Sequence, residues 1–117
     1  MIENTDATLG VRFTPEQRRA QFERIRAYFA AQDRERARQG KLPLGSTDKG
    51  FWGVSHLDDV YAWAEAIGLS EQPAFLDLGS GDGRVVFVAG LFTQASGIEY
   101  DAALHELALR ASEELGV

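Results

Sequence analysis

Apolar residues recur at helical spacing in the first third of the chain. Three of them share one face of a helix because they are separated by three and four positions: Phe22, Ile25 and Phe29. Thr14 is a capping residue, and Pro15 suits the first helical position. Gly40 supplies a stop signal. The pattern therefore predicts an amphipathic helix over residues 15–39.

A second amphipathic pattern predicts another helix before the first strand. Ser55 is positioned to cap it, and Gly68 is positioned to end it. Its apolar side consists of Leu57, Val60, Tyr61, Ala64 and Ile67. Between the two helices, residues 41–54 form a connector rich in Gly, Pro and Ser.

Beyond the second helix, short apolar runs alternate with helical periodicity. The pattern predicts a short buried strand at residues 74–78 and a buried helix at residues 84–92. Residues 94–99 predict a second strand, and residues 102–115 predict a third amphipathic helix. The order strand, helix, strand, helix is typical of a parallel pair of strands in an α/β fold.

Composition narrows the class of protein. The 117 residues include no cysteine, which excludes disulfides and thiolate metal sites and fits a cytoplasmic protein. The longest apolar run, residues 85–92, is too short to cross a bilayer, so no membrane association is expected. The net charge of −6 disfavours nucleic-acid binding by the whole chain. Residues 12–41 are nevertheless basic, which indicates a mainly solvated helix face, with contact to a partner as the alternative.

A glycine-rich turn directly follows the first predicted strand, with Gly79, Gly81 and Gly83 at alternate positions. Glycines allow a sharp turn and remove the β-carbons that would block a ligand, and we expect the amides that open the next helix to face that ligand. Arg84 stands where the third glycine of a dinucleotide-binding turn would lie. Asp77 precedes the turn, where a carboxylate is a poor neighbour for a pyrophosphate and a good one for an ammonium group.

A second carboxylate, Glu99, ends the second predicted strand, twenty residues after Gly79. Parallel strands bring their carboxyl ends to one edge of a sheet, so Glu99 is placed where a ribose diol would lie, and it can accept from both hydroxyls. Tyr100 follows it. Contact with an adenine face and simple packing are equal alternatives for its ring.

At these residues the chain resembles the class I (Rossmann-like) S-adenosylmethionine-dependent methyltransferases. D-L-G-S-G-D-G-R at residues 77–84 resembles their first motif, and G-I-E-Y-D at residues 97–101 resembles their second. The resemblance covers residues 73–110. It implies that S-adenosylmethionine is the cofactor and that seven residues bind it: Asp77, Gly79, Ser80, Gly81, Gly83, Glu99 and Tyr100. In that arrangement Glu99 binds the ribose and Tyr100 lies on the adenine side.

The resemblance also implies an α/β fold with a Rossmann-like parallel sheet, here incomplete and limited to the first βαβα unit, preceded by two N-terminal helices. We expect residues 1–12 to be a flexible leader, residues 13–54 to be the basic helix and connector, and residues 55–117 to be the N-terminal half of the cofactor-binding domain. Later strands of such a sheet are missing, so a truncated domain is expected. Its open strand edge would suit pairing with a second copy of the chain.

The primary hypothesis is a methyltransferase whose acceptor, a protein lysine or another group, is not identified. No residue is a credible general base, so catalytic residues remain unassigned. His56 and His105 have no second ligand at metal spacing, so no metal site is expected. The alternatives are a non-catalytic module that binds a nucleoside or a protein and, less favoured by the glycine spacing at Arg84, a fragment of an oxidoreductase that binds NAD or FAD.

Overall fold

The computed structural model describes residues 3–7, 13–41, 44–47, 50–53 and 55–117. These residues form a mixed α/β fold, and the two helices expected before the first parallel strand are confirmed. The elements are, in chain order, β1 (Glu3–Ala7), α1 (Pro15–Arg38), β2 (Leu44–Thr47), β3 (Gly50–Gly53), α2 (Leu57–Ala66), β4 (Phe75–Leu78), α3 (Arg84–Ala89), β5 (Ala95–Glu99) and α4 (Ala102–Leu115).

The limits of α1 follow the capping signals in the sequence. The Thr14 hydroxyl accepts from the Gln17 amide at 3.1 Å, and the Gln17 side chain accepts from the Thr14 amide at 2.9 Å. Gly40 takes a φ of +77° just after the helix. The predicted apolar face is buried: Phe22, Ile25 and Phe29. The helix therefore forms where local chemistry predicts it and packs by the predicted face.

The basic face of α1 is mainly exposed, as expected, but two of its arginines also contact the rest of the fold. Arg18 Nε donates to the Leu91 carbonyl at 3.1 Å, and its guanidinium lies 4.6 Å from the centre of the Phe92 ring. Arg24 donates to the Leu115 carbonyl at 3.0 Å. Each cation–π contact at a partly exposed site contributes only about 0.5–1 kcal/mol, but several act on the same helix.

The second helix ends just before the predicted stop, Gly68, but differs from its prediction at its start. The residue that precedes its first turn is His56 and not Ser55, and no side chain caps it. Three residues of the predicted apolar face are buried: Leu57, Tyr61 and Ala64. Ile67 is exposed, because the helix ends at Ala66 and Gly68 then turns the chain with a φ of +67°. A short 3₁₀ helix, Leu69–Glu71, leads on to β4.

The strands β4 and β5 are parallel neighbours, as the order of elements predicts. Phe75 lies opposite Ala95, and Leu78 lies opposite Ile98. The helix α3 connects the two strands and ends at Ala89, three residues earlier than predicted. Because both strands run in the same direction, their carboxyl ends meet at one edge, where the glycine-rich turn begins.

The other side of β5 pairs with β1, so the described sheet has the order β1-β5-β4. This pairing is antiparallel, with Glu3 opposite Glu99 and Ala7 opposite Ala95. The described part of the predicted flexible leader is therefore a strand, which corrects that prediction for residues 3–7. The strands β2 and β3 form a separate antiparallel pair within the connector.

One face of β4 is open, although the sequence predicts a buried strand. Leu76 is 56% exposed and Leu78 is 74% exposed. Successive side chains of a strand point to opposite faces, so Phe75 and Asp77 share the other face, where Phe75 packs against the core. Among the described strands, β4 pairs with β5 alone, and the expected open edge is present in this part of the chain.

The core lies where α1, α2 and the end of α3 meet. The rings of Phe22 and Tyr61 have centroids 4.4 Å apart, and Tyr61 meets Phe92 edge-on at 5.2 Å. Such pairs contribute about 0.5–1.5 kcal/mol each beyond their buried area. Within the described ranges, no helix has the length and apolar character needed to cross a bilayer.

Candidate functional site

The glycine-rich turn joins the end of β4 to the start of α3. Gly79 and Gly81 take positive φ angles of +81° and +59°, which L-residues with a β-carbon rarely adopt. A β-carbon at either position would meet no atom within 4 Å, so open space lies beside both glycines. The first half of the turn therefore has the side-chain-free surface that the sequence predicts.

Gly83 has a different environment. Its φ is +85°, and a β-carbon there would lie 3.0 Å from Phe87 Cε2 and 3.1 Å from Ala108 Cβ. The residue is buried between α3 and α4. Its lack of a side chain serves the close packing of these helices, and its predicted contact with a cofactor stays a prediction.

The backbone amides of the turn already have acceptors within the protein. The amides of Gly79 and Ser80 donate to the Ile98 carbonyl at 2.8 and 3.1 Å. The Gly83 amide donates to the Ser80 carbonyl at 3.0 Å. The Arg84 amide, which opens α3, donates to the Asp82 carboxylate at 3.3 Å. Amides that were expected to face a ligand thus hold the turn against β5 and α3.

Glu99 holds both the turn and the start of α4. One carboxylate oxygen accepts from the Gly81 amide at 2.7 Å, and the other accepts from the Asp101 amide at 2.8 Å. The side chain is largely buried, and Glu99 as a whole is 8% exposed. The predicted ribose ligand is therefore also a structural residue, which joins the ends of the two parallel strands.

Asp77 lies on the same face of the sheet as Glu99. It is opposite Gly97 in the register, and Glu99 follows Gly97 by two positions along β5. Burial raises the pKa of Asp77, and the negative charge of Glu99 raises this pKa further. The structure thus places the two predicted carboxylates on one face of the sheet beside the turn, where the charge of Glu99 acts on Asp77.

Gly97 explains how the turn can lie so close to β5. A β-carbon at this position would be 2.6 Å from both Ser80 Cβ and Ser80 Oγ, and 2.7 Å from Val86 Cγ2. Ser80 is itself buried, and its hydroxyl has no hydrogen-bond partner among the described residues. This role of Gly97 was not predicted, because its only signal in the sequence is a glycine inside a strand.

Tyr100 is exposed beside Glu99. The contact of its ring with an adenine stays a prediction. All seven predicted site residues thus lie on the turn or at the ends of β4 and β5, and the first half of the turn is open.

Comparisons of the chain with protein-family models, with curated proteins and with solved structures found no match.

A buried ion network, which was not predicted from the sequence, links the turn to α1. Arg84 is 5% exposed. Its guanidinium donates to both oxygens of Asp33 at 2.9 and 2.8 Å, and to Asp82 at 2.8 Å. The ring of Phe29 lies below it at 4.8 Å. The only sequence signals are an Asp-Gly-Arg triplet and Asp33, which is one of four acidic residues on the predicted basic helix. The pairing of Asp33 with Arg84 depends on the tertiary fold.

A cleft of about 450 Å³ lies next to this network, between α1 and the start of α2. Its walls include Asp33 and Arg84 on one side and the ion pair between Arg26 and Asp58 on the other, with Nη1 and Oδ1 2.8 Å apart. Among the residues that the structure describes, no cluster of three or more His, Cys, Asp or Glu could hold a metal ion.

Proposed function

We propose that the chain binds S-adenosylmethionine and belongs to a methyltransferase with a Rossmann-like fold, of which β4, α3, β5 and α4 form the first βαβα unit. The observation that supports this most is the common position of Asp77 and Glu99. Both lie on one face at the carboxyl ends of adjacent parallel strands, beside glycines that leave open space. Ligands of open α/β sheets bind at this edge.

The chemistry of the turn favours a cationic nucleoside over a dinucleotide. Phosphates are bound by free backbone amides, typically at the start of a helix. Here the amides of Gly79, Ser80, Gly81 and Gly83 already donate to the protein itself. A pyrophosphate in this position would meet two carboxylates in place of donors. These facts argue against an oxidoreductase that binds NAD or FAD.

The two carboxylates fit the two polar ends of S-adenosylmethionine. Burial and the charge of Glu99 raise the pKa of Asp77. The positive charge of an ammonium group beside Asp77 would lower this pKa, so binding would favour the ionised form of the residue. Each carboxylate oxygen of Glu99 accepts one hydrogen bond, from the amide of Gly81 or of Asp101. The remaining lone pairs of these oxygens can accept from ribose hydroxyls. Tyr100 offers an exposed ring to the adenine.

When bound, S-adenosylmethionine supplies an activated methyl group for in-line attack by an acceptor atom. Asp77 and Glu99 would bind and orient the two ends of the donor. Gly79 and Gly81 would let it approach the backbone. Fixing the direction of the methyl group is the main contribution that this part of the chain can make to the rate.

Calorimetric titration with S-adenosylmethionine, S-adenosylhomocysteine and NADH tests the proposal. We expect binding of the first two compounds and none of NADH. Asp77→Asn and Glu99→Gln should each weaken binding about tenfold to a hundredfold, since a hydrogen bond to a charged group contributes about 1.5–3 kcal/mol. Glu113→Gln, at an exposed position of α4, is the matched control.

Two outcomes would contradict the proposal. One is an absence of binding to the wild-type chain, and the other is unchanged affinity in both carboxylate variants. Transfer of a radiolabelled methyl group to protein or small-molecule acceptors then separates the two remaining classes. Because the chain resembles only the first half of such a domain, transfer is assayed with a longer form that carries the later strands, and binding without transfer in that form would support the non-catalytic nucleoside-binding module.

A further inference from the structure

Arg84 binds both the glycine-rich turn and α1, through a partner on α1 that lies 51 positions earlier in the chain. Its Nη1 and Nη2 atoms lie 2.9 and 2.8 Å from the two oxygens of Asp33 on α1. Its Nη2 and Nε atoms lie 2.8 and 3.2 Å from Asp82 in the turn. Bidentate pairs of this kind fix the direction of a guanidinium as well as its position. Asp33 thereby restrains Asp82 through one rigid, planar group.

The part of the turn that this network restrains is intrinsically flexible. Three glycines alternate with other residues, and fixing a glycine backbone costs more conformational entropy than fixing any other residue. Asp82 lies between Gly81 and Gly83, and its carboxylate accepts from both the amide and the side chain of Arg84. Holding Asp82 therefore holds the backbone on either side of it.

We propose that Asp33 is a positioning residue for the S-adenosylmethionine site: through Arg84 and Asp82 it keeps the glycine-rich turn in its binding conformation before the ligand arrives. This inference rests on the proposed function for its ligand, but its structural part concerns the free protein. A ligand that binds a preformed turn does not have to order the turn on binding, and its affinity is higher for that reason.

The geometry makes Asp33→Asn a mild variant. Asp33 is only partly buried, with 35% of its side chain exposed. When its charge is removed, Arg84 keeps Asp82 as a counter-ion, so no buried charge is left alone. Asp58→Asn is the matched control, because it removes an ion pair between α1 and α2 that does not touch the turn.

Native-state hydrogen exchange on the ligand-free protein tests the restraint directly. The probes are the amides of Gly79, Gly81 and Gly83, which donate to Ile98, Glu99 and Ser80 in the resting structure. We expect Asp33→Asn to speed their exchange about tenfold relative to amides of α1, with Asp58→Asn unchanged. Asp33→Glu, which keeps the carboxylate, should restore much of the protection.

Titration with S-adenosylhomocysteine completes the test. Asp33→Asn should weaken binding about tenfold, while Asp58→Asn and the wild type bind alike. Equal exchange in Asp33→Asn and Asp58→Asn would overturn the positioning role, whatever the ligand. Faster exchange in a protein that binds no S-adenosylhomocysteine would keep the restraint and reject the proposed function, so the two failures are distinguishable.

Discussion

Replacing Gly97 by alanine is the sharpest steric test of how the turn packs on β5. The added methyl carbon would lie 2.6 Å from two atoms of Ser80 and 2.7 Å from Val86 Cγ2. Carbon atoms pack at about 3.5–4.0 Å, so the contacts with Ser80 Cβ and Val86 Cγ2 would be roughly 0.8–1.4 Å too short. The backbone of Gly97 does not have a positive φ, and alanine is conformationally compatible there. Any loss of stability therefore comes from the contacts.

The loss of stability depends on how far the side chains of Ser80 and Val86 can move away from the added methyl group. Val86 is fully buried at the start of α3, and Ser80 is tied to β5 through its amide, so neither side chain can easily withdraw. Overpacking of this kind costs about 1–3 kcal/mol. With a urea m-value of about 1.5 kcal/mol per molar, the unfolding midpoint should fall by about 0.7–2 M. The same displacement of the turn should weaken S-adenosylhomocysteine binding.

Urea unfolding followed by circular dichroism measures the loss, and a second substitution identifies its cause. Ser80→Gly removes two of the three short contacts, so the double variant with Gly97→Ala should recover much of the lost midpoint. A single Gly97→Ala variant as stable as the wild type would refute the packing argument. A loss that Ser80→Gly does not reduce would place the clash elsewhere.

Two further predictions concern charge and the open face. Burial, and then the charge of Glu99, raises the pKa of Asp77, so its ionisation costs more in the folded than in the unfolded chain. Asp77→Asn should therefore unfold at a higher urea concentration than the wild type at pH 7. This gain in stability should vanish below about pH 3.8, the ordinary pKa of an aspartate. Equal gains at pH 7 and at about pH 3.5 would contradict the prediction. If the edge of β4 pairs with a second copy, Leu78→Lys should reduce self-association in sedimentation velocity, because an edge lysine opposes strand pairing. A monomeric wild type would end that idea.

The sequence predicts best the features that local chemistry determines. The limits of α1 follow from the Thr14 capping box and Gly40, and the bounds of α4 agree with the prediction. The parallel pair of strands also follows, since an alternating order of elements leaves few topologies. Both carboxylates of the candidate site were predicted, because each ends a strand beside the turn.

The features that sequence reasoning missed depend on residues far apart in the chain. The pair of Asp33 and Arg84 joins positions 51 residues apart, and nothing local marks it. The internal use of the turn amides depends on the Ile98 carbonyl and on Glu99, which only the folded sheet brings near. Periodicity also failed to show that Leu76 would be exposed, since a short apolar run without alternation is typical of a strand buried on both faces.

The fastening of α1 by its own arginines changes what the basic segment offers to other molecules. Arg19 and Arg26 pair with Glu23, while Arg18 and Arg24 donate to main-chain carbonyls of the body. A polyanion such as heparin that approached this helix would have to compete with these internal acceptors for each of these four guanidinium groups. The number of basic residues in this segment therefore exceeds the number of guanidinium groups that a polyanion could bind without such competition.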